Sequence, residues 1–450
     1  MASIQWWRGN RRSLLRGGLL AGAGAAVGAG AAVGAAGGWA GSGWAGHQSE
    51  ASEGFYGVHQ GGIITAGQQH TVLAGFDVLG QDRAALVALL RGWSALAADL
   101  VDGKSVTVPI VGASAASTGV YADVTAASTT SDSLEAYGLG PARLTVTIGF
   151  GPSLFTTADG RDRFGIAAAR PAALIELPRF PGDQLVAADS GGDLLVQACA
   201  DNAQVAFHAV RAMARVAPDV ASLRWTELGF SSGDPAGTPR NLMGFKDGTM
   251  HSNAHLPDDM DATVWAGADG PAWMRAGSYL VYRRIRISLE HWDRLDHRLQ
   301  EKVIGRRKLD GAPLGGRDEF DALDLDARDP NGSLSIPDTA HVRLASPQFN
   351  SGAVMLRRGF SYNHGTTPFV ERWPPWRQAL EYDAGLLFLA YQKDPRTAFV
   401  PIFTTLASSD ALNQFTTHTA SAVFAVPPAA SGPGDWVGRT LFGADSPQHL

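Results

Sequence analysis

The sequence predicts an α+β fold built from two ferredoxin-like units, each with the element order βαββαβ. Three observations predict it. Alternating β-branched runs and runs with apolar residues at helical spacing follow the same order in both halves of the chain. That order recurs after about 180 residues, which is too long for a solenoid repeat and right for two domains of one class. The chain has 450 residues, 45% hydrophobic and 18% charged, an ordinary globular balance with enough length for a sizeable core.

The elements follow in order. Residues 1–46 read as an export signal rather than as fold. Arg11 and Arg12 are adjacent, Leu14 and Leu15 follow, and a Gly/Ala-rich stretch without charge comes next. Its glycine content suits a membrane-spanning helix poorly, and cleavage is expected between Ala40 and Ala51. A twin-arginine signal carries proteins that are already folded, often with a cofactor in place. In the N-terminal domain, 55–235, HTVLAGFDVL is a strand and DRAALVALLRGWSALAADLV an amphipathic helix. A Ser/Thr/Ala/Gly-rich loop follows, from about residue 112 to about 138. RLTVTIGF and DLLVQACA are strands, NAQVAFHAVRAMARVA a helix and SLRWTELGF the closing strand. In the C-terminal domain, 236–440, GSYLVYRRIRIS is a strand and LEHWDRLDHRLQEKVIGRRK a charged helix. A long acidic loop from Gly311 to Thr339 leads to the strand AVMLRRGFSY. The strand GLLFLAYQ, the helix RTAFVPIFTTLA and the strand SAVFAVP end the unit. Helices cover one face of each sheet, so the bare faces must pack together or close over a ligand.

Composition excludes several functions. The net charge is −6 and no basic patch with interleaved aromatics occurs, so nucleic acid is not an expected partner. Cys199 is the only cysteine, so neither an internal disulfide nor a thiolate metal cluster can form. In the apolar run LLVQACA it reads as a buried structural thiol. GxSxG, HExxH, a phosphate loop and a dinucleotide fingerprint are all missing.

The chemistry centres on GFKDGTMH, Gly244 to His251. Asp-Gly is turn chemistry, so the plain reading is a loop corner; the sharper one is a carboxylate held on that corner and aimed into a pocket. His341, just past the acidic loop, and Arg357 and Arg358 on a strand are the other candidates. Alternation sends the two arginines to opposite faces, so one can meet a cavity. A lone histidine is often a capping residue, and paired strand arginines are often salt-bridge partners. Together, however, His341, Asp247 and Arg357 match in type what a haem peroxidase needs. It requires an imidazole on iron, a base that moves a proton between the oxygens of peroxide, and a cation for the developing charge. An aspartate base stays ionised in more acidic solution than a histidine base. A rival iron site could use Asp247, His251 and His255, but Gly248, Asn253 and Pro257 disfavour the helix it needs.

These residues resemble the dye-decolourising peroxidases, and among them the exported deferrochelatase/peroxidase type. GFKDGT carries the family's GxxDG signature. FYGVHQGGIITAGQQHTVLAGFDVL, the YLVYRRIRIS to KLDGAPLGG block, TAHVRLASPQ, AVMLRRGFSY and DAGLLFLAYQ follow in the family's order over nearly the whole chain after the signal. The resemblance implies haem b in the C-terminal of two ferredoxin-like domains. It implies His341 as proximal ligand, Asp247 as distal acid–base residue and Arg357 as distal arginine. Gly248, Thr249 and Met250 would line the haem, and Ser346, Pro347 and Gln348 would pass its edge. Arg343 would meet a propionate. Asp410, with Asp383 as fallback, would accept a hydrogen bond from the proximal imidazole and strengthen its basicity. Two departures stand out: Met250 and His251 replace the family's usual Ala-Asn, and SPQ replaces NPR, removing a cation near the propionate.

The function implied is reduction of hydrogen peroxide with oxidation of dyes, phenols or other small-molecule electron donors. Trp376, Tyr382 and Tyr391 are candidate electron relays, although core packing is the commoner use of such residues. The alternative is a deferrochelatase-type protein that releases iron from haem, with iron-uptake components as partners. A non-enzymatic pair of domains is the third reading. A homo-oligomer and a periplasmic or extracellular location are compatible with all three.

Overall fold

Strand pairing draws both halves of the chain into one antiparallel sheet. The computed structural model describes residues 51–108, 132–232, 237–249, 259–367 and 381–443. The expected export signal and most of the expected loop from 112 lie outside the described residues. In the first half, β1 (His70–Val78) lies between β3 (Leu194–Ala200) and β4 (Ala221–Phe230), and β2 (Thr145–Phe150) flanks β3. In the second, β5 (Ser278–Ile287) lies between β8 (Glu381–Gln392) and β9 (Thr416–Val426). Strand β8 also takes β6 (Leu356–Arg357) and β7 (Phe360–Thr367).

Two narrow joins connect the halves, Phe150 opposite Ala425 between β2 and β9 and Phe230 opposite Ser361 between β4 and β7. With them the order β5-β9-β2-β3-β1-β4-β7-β8 returns to β5, so the sheet closes into a barrel with β6 appended to β8. Closure pairs strands that would otherwise present free edges. The bare sheet faces foreseen from the sequence are buried inside it.

Period-two alternation assigns each strand's residues to two cores. Leu73, Leu280, Tyr282, Leu389, Tyr391 and Phe424 share the inner cluster. Val72, Ala74, Phe76, Tyr279 and Val281 belong to the outer one, which helices cover. Gly75 is where the barrel needs a glycine: a Cβ there would lie 2.4 Å from the Trp225 ring, which stacks on Tyr282 at 5.0 Å. Cys199 is buried and donates to Thr71 Oγ1 at 3.3 Å, as a structural thiol would.

Helix α1 (Arg83–Val101) starts where the Asp82 carboxylate accepts from Ala84 N and Ala85 N, and α2 (Ala203–Arg215) starts at Asn202 in the same way. By length and hydropathy α1 could cross a membrane, but it buries Leu86, Leu90, Trp93 and Ala97 in the manner of a core helix. The single charged helix expected after β5 is in fact a short turn, Leu289–Trp292, followed by α3 (His297–Ile304). Asp296 breaks it, because its side chain caps Leu299 N, and Gly305 at φ 92° ends α3. The strand AVMLRRGFSY is interrupted at Arg358–Gly359. Its register against β8 runs through nevertheless, with Leu356 opposite Tyr391 and Phe360 opposite Leu387. Two further helices, α4 (His341–Leu344) and α5 (Phe399–Ser409), lie over the outer face of the second half.

Candidate active site

A cavity of about 500 Å³ opens between the outer face of β5, β8 and β9 and the helices α4 and α5. Ile285, Leu386, Phe388, Ile402 and Phe403 give it apolar walls. Its size is in the range of small-molecule and cofactor sites. Asp247, Gly248, Thr249, His341, Ser346, Pro347, Arg357 and Asp410 all line it, so eight sequence candidates meet in one place.

The GFKDGT segment reaches the cavity as a short hairpin. Arg240 and Lys246 bridge it, and Asp247 N donates to Pro239 O at 2.8 Å. Gly244 at φ 85° and Gly248 at φ 102° flank the carboxylate in a conformation that favours glycine. Lys246 pairs with Glu319 of the acidic loop, and Thr249 Oγ1 donates to Glu319 Oε1 at 3.1 Å, so that loop clamps the hairpin from outside. On the cavity side Asp247 is ion-paired with Arg357. Arg358 turns the other way and donates to Thr65 O and to Gln68 Oε1. The two arginines thus go to opposite faces, as strand alternation requires.

His341 opens α4. Its Nδ1 lies 2.6 Å from Asp410 Oδ2, while Asp410 Oδ1 accepts from Leu412 N at 2.8 Å. Ala411 N also donates to Thr339 O at 3.0 Å, tying the aspartate's segment to the approach to His341. A carboxylate on Nδ1 fixes the proton there and leaves the Nε2 lone pair for the cavity. Asp383, the fallback, lies instead near Tyr362 and His364.

Two expectations are corrected. Arg343 is buried away from the cavity wall, where Nη1 donates to Leu325 O at 2.6 Å and to Ile336 O at 3.3 Å. Gln348 is exposed and off the lining. Arg306, which residue-by-residue reading did not single out, is a further cation on the wall, beside Lys246, Arg283 and Arg357. It is buried, and its Nη1 donates at 2.8 Å to Gly311 O and to Glu319 O. Among the described residues no carboxylate lies within ion-pair distance of it, and burial pushes its guanidinium pKa down. A buried arginine whose guanidinium meets carbonyls rather than a paired carboxylate, apolar walls, and an imidazole whose Nδ1 is held by Asp410 fit an iron porphyrin carrying carboxylates. Met250, His251, His255 and Trp376 lie outside the described residues. Among those described, no cluster of three metal-ligating side chains occurs.

His418 on β9 was also missed. It accepts from Arg283 Nε through Nδ1 at 3.2 Å, and Arg283 is itself paired with Asp183. Burial, and secondarily the Arg283 charge, lower its pKa from 6.5 to about 3. The folded state keeps this imidazole neutral, whereas the unfolded chain protonates it near 6.5. Its stabilising contribution is therefore present above that pH and is lost as pH falls toward 3. A His418→Gln variant keeps an acceptor for Arg283 and cannot titrate. Its melting temperature is expected to fall less than the parent's over that window, measured by circular dichroism at fixed ionic strength.

Fold and cavity together define a class, that of mixed helix/sheet barrels with a cofactor-sized cavity on their outer face. Comparisons narrow the class. Residues 60–231 match the family described as Dyp-type peroxidase, N-terminal, and residues 238–431 match Dyp-type peroxidase, C-terminal. The chain is 46% identical over 304 residues to a dye-decolorizing peroxidase of Thermobifida fusca, covering 66% of this chain and 67% of that one. It is 35% identical over 398 residues to the deferrochelatase of Escherichia coli, covering 86% of each. An oxyferrous/water mixed complex of DtpA from Streptomyces lividans superposes with a TM-score of 0.74 at 40% identity, over 87% of this chain and 98% of that one. A DyP-type peroxidase from Streptomyces coelicolor does so with a TM-score of 0.74 at 40% identity, over 88% and 99%. The chain belongs to the Dyp-type peroxidase family: it is a haem peroxidase, acting on hydrogen peroxide and an electron donor.

Proposed function

We propose that His341 is the proximal ligand of haem b, that Asp247 is the acid–base residue for peroxide and that Arg357 is its cationic partner. What carries this reading is that both pairs, His341–Asp410 and Asp247–Arg357, line one apolar cavity. Haem, when bound, supplies the iron at which the O–O bond of peroxide is broken and from which donors are oxidised one electron at a time. His341 would offer its Nε2 lone pair to the iron, and Asp410 accepts the hydrogen bond of the Nδ1–H and so makes the imidazole a stronger donor. Asp247 accepts a proton from one peroxide oxygen and delivers it to the other, which departs as water. Arg357 stabilises the negative charge that gathers on the departing oxygen. Arg306 would hold a propionate. An Arg306→Leu variant is expected to lose haem faster to apomyoglobin than the parent; an unchanged loss rate would remove Arg306 from that role.

Two ferredoxin-like domains account for the barrel. The half-sheets run β4-β1-β3-β2 and β9-β5-β8-β7, the same order, with a helix after the first strand and another after the third in each. The sequence also supports export by the twin-arginine route. Replacing Arg11 and Arg12 by lysine should then retain the protein in the cytoplasm, read by fractionation. Release of iron from haem is the second reading, favoured by the longer match to a deferrochelatase. Incubation with haem separates the two: metal-free protoporphyrin, seen by fluorescence, supports iron release, and its absence under peroxidase-competent conditions rejects it.

A further inference from the structure

The carboxylate of Asp247 has a second holder. Asn241 Nδ2 donates to Asp247 Oδ2 at 3.3 Å, on the oxygen that Arg357 does not take, since Arg357 meets Oδ1. The other end of the same amide builds the hairpin. Asn241 Oδ1 accepts from Met243 N at 3.0 Å and from Phe245 N at 3.3 Å, and its backbone closes the turn with Asn241 N to Phe245 O at 3.0 Å. One side chain therefore fixes the loop and the group the loop carries.

The surroundings explain why the carboxylate needs such a hold. A second cavity of about 170 Å³ lies beside the main one and is lined by Thr65, Gln68, Phe230, Arg358 and Phe360. Asn241, Asp247, Gly248, Arg357 and Leu386 line both cavities, so they form the partition between them. A carboxylate on a partition has room on either side. The nearby charges are otherwise engaged: Lys246 with Glu319, and Arg358 with Thr65 and Gln68.

We infer that Asn241 is a positioning residue for peroxide activation, its amide N–H₂ holding Asp247 Oδ2 so that the carboxylate stands at one place and angle on the wall of the main cavity. The inference rests on Asp247 being the acid–base residue. Amide and guanidinium fix one oxygen each and leave each oxygen a further lone pair for the peroxide proton. Positioning of this kind matters because a displacement of about 1 Å at a reacting group can cost on the order of 100-fold in rate.

Asn241→Asp tests it. Aspartate is as good an acceptor for the turn's two backbone N–H groups, so the hairpin is kept, but the donor to Asp247 is replaced by a like charge. Asn241→Ser, shorter and unable to span to Asp247, is the second variant. Three properties of the holoenzyme are read: the rate of its reaction with peroxide by stopped flow, that rate's pH profile, and cyanide affinity of the ferric form, since hydrogen cyanide must also give up its proton on that face. Expected for Asn241→Asp is a loss of ~10-fold or more in the peroxide rate, following the positioning argument, with the acid limb moved to higher pH. Weaker cyanide binding and an unchanged Soret band should accompany it. Asn241→Ser should lose rate without moving the limb upward. An unchanged rate, pH profile and cyanide affinity in Asn241→Asp would overturn the inference, whatever Asn241→Ser does. Asp247→Asn is run beside them. If it too keeps full rate, the role of Asp247 fails; if it alone loses rate, only the role of Asn241 fails.

Discussion

Replacing His341 by alanine is expected to cost the protein its haem, as the proposal that His341 holds the iron requires. The purified variant should lack the Soret maximum of the parent, retain little haem through gel filtration, and show no peroxide-dependent dye oxidation. Its far-ultraviolet circular dichroism should stay native, because α4 is only four residues long and the barrel does not depend on it. Imidazole added to the haem-loaded variant should restore part of the spectrum by occupying the vacated position. Asp410→Asn gives a graded form of the same experiment. Asparagine can still accept from Leu412 N, so the turn Ala411–Gln414 survives, but it is no longer an anionic acceptor for Nδ1–H. Partners of this kind typically change affinity or activity by ~10–100-fold. A His341→Ala protein with the parent's spectrum and turnover would remove His341 from the iron.

Much of the fold was legible because its signals are local. Leu73 between Val72 and Ala74, or Tyr282 between Val281 and Arg283, shows the period of two that assigns them to different faces. Asp82 and Asn202 announce their helices in the same direct way. The break between Trp292 and His297 was obscured because LEHWDRLDHRLQEKVIGRRK keeps helical spacing across it, while the Asp296 cap is a single polar residue among many. Barrel closure was not legible at all. It depends on two joins of one residue pair each, and neither Phe150 nor Phe230 carries any mark of its distant partner.

The site divides along the same line. Asp247, His341 and Arg357 could be found because each is a residue type that peroxide chemistry demands, set in a recognisable stretch. Arg306, His418 and Asn241 could not, because what they do depends on which groups the fold places around them. Arg306 is one arginine in GRRK, and only its burial, with carbonyl rather than carboxylate hydrogen-bond partners, distinguishes it from Arg307, which pairs with Asp310. Arg343 misled for the opposite reason. The resemblance put it at a propionate, but two residues past His341 is about half a helical turn, which swings position 343 to the far side, onto the carbonyls of Leu325 and Ile336.

Asp247→Asn and Arg357→Leu should separate the two tasks on the face opposite the imidazole. Both are expected to keep haem, since neither residue is the proposed ligand or propionate partner, so the Soret band should persist. Asp247→Asn removes the proton acceptor and should slow the reaction with peroxide by ~10²–10⁴-fold, the usual worth of a positioned general base. Arg357→Leu keeps the base but removes the charge that the departing oxygen leans on, a loss of roughly 10²–10³-fold. The first loss should be partly relieved by hydroperoxide anion at alkaline pH, which arrives already deprotonated; the second should not. Because the two side chains touch, their effects should not add. With Asp247 gone, Arg357 is released from its ion pair and can swing from its place, so the first substitution already damages what the second removes. The double variant should therefore lie close to the slower single one. Losses that multiply in full would mean that Asp247 and Arg357 act on peroxide independently, and that their ion pair is a feature of the resting wall rather than part of the chemistry.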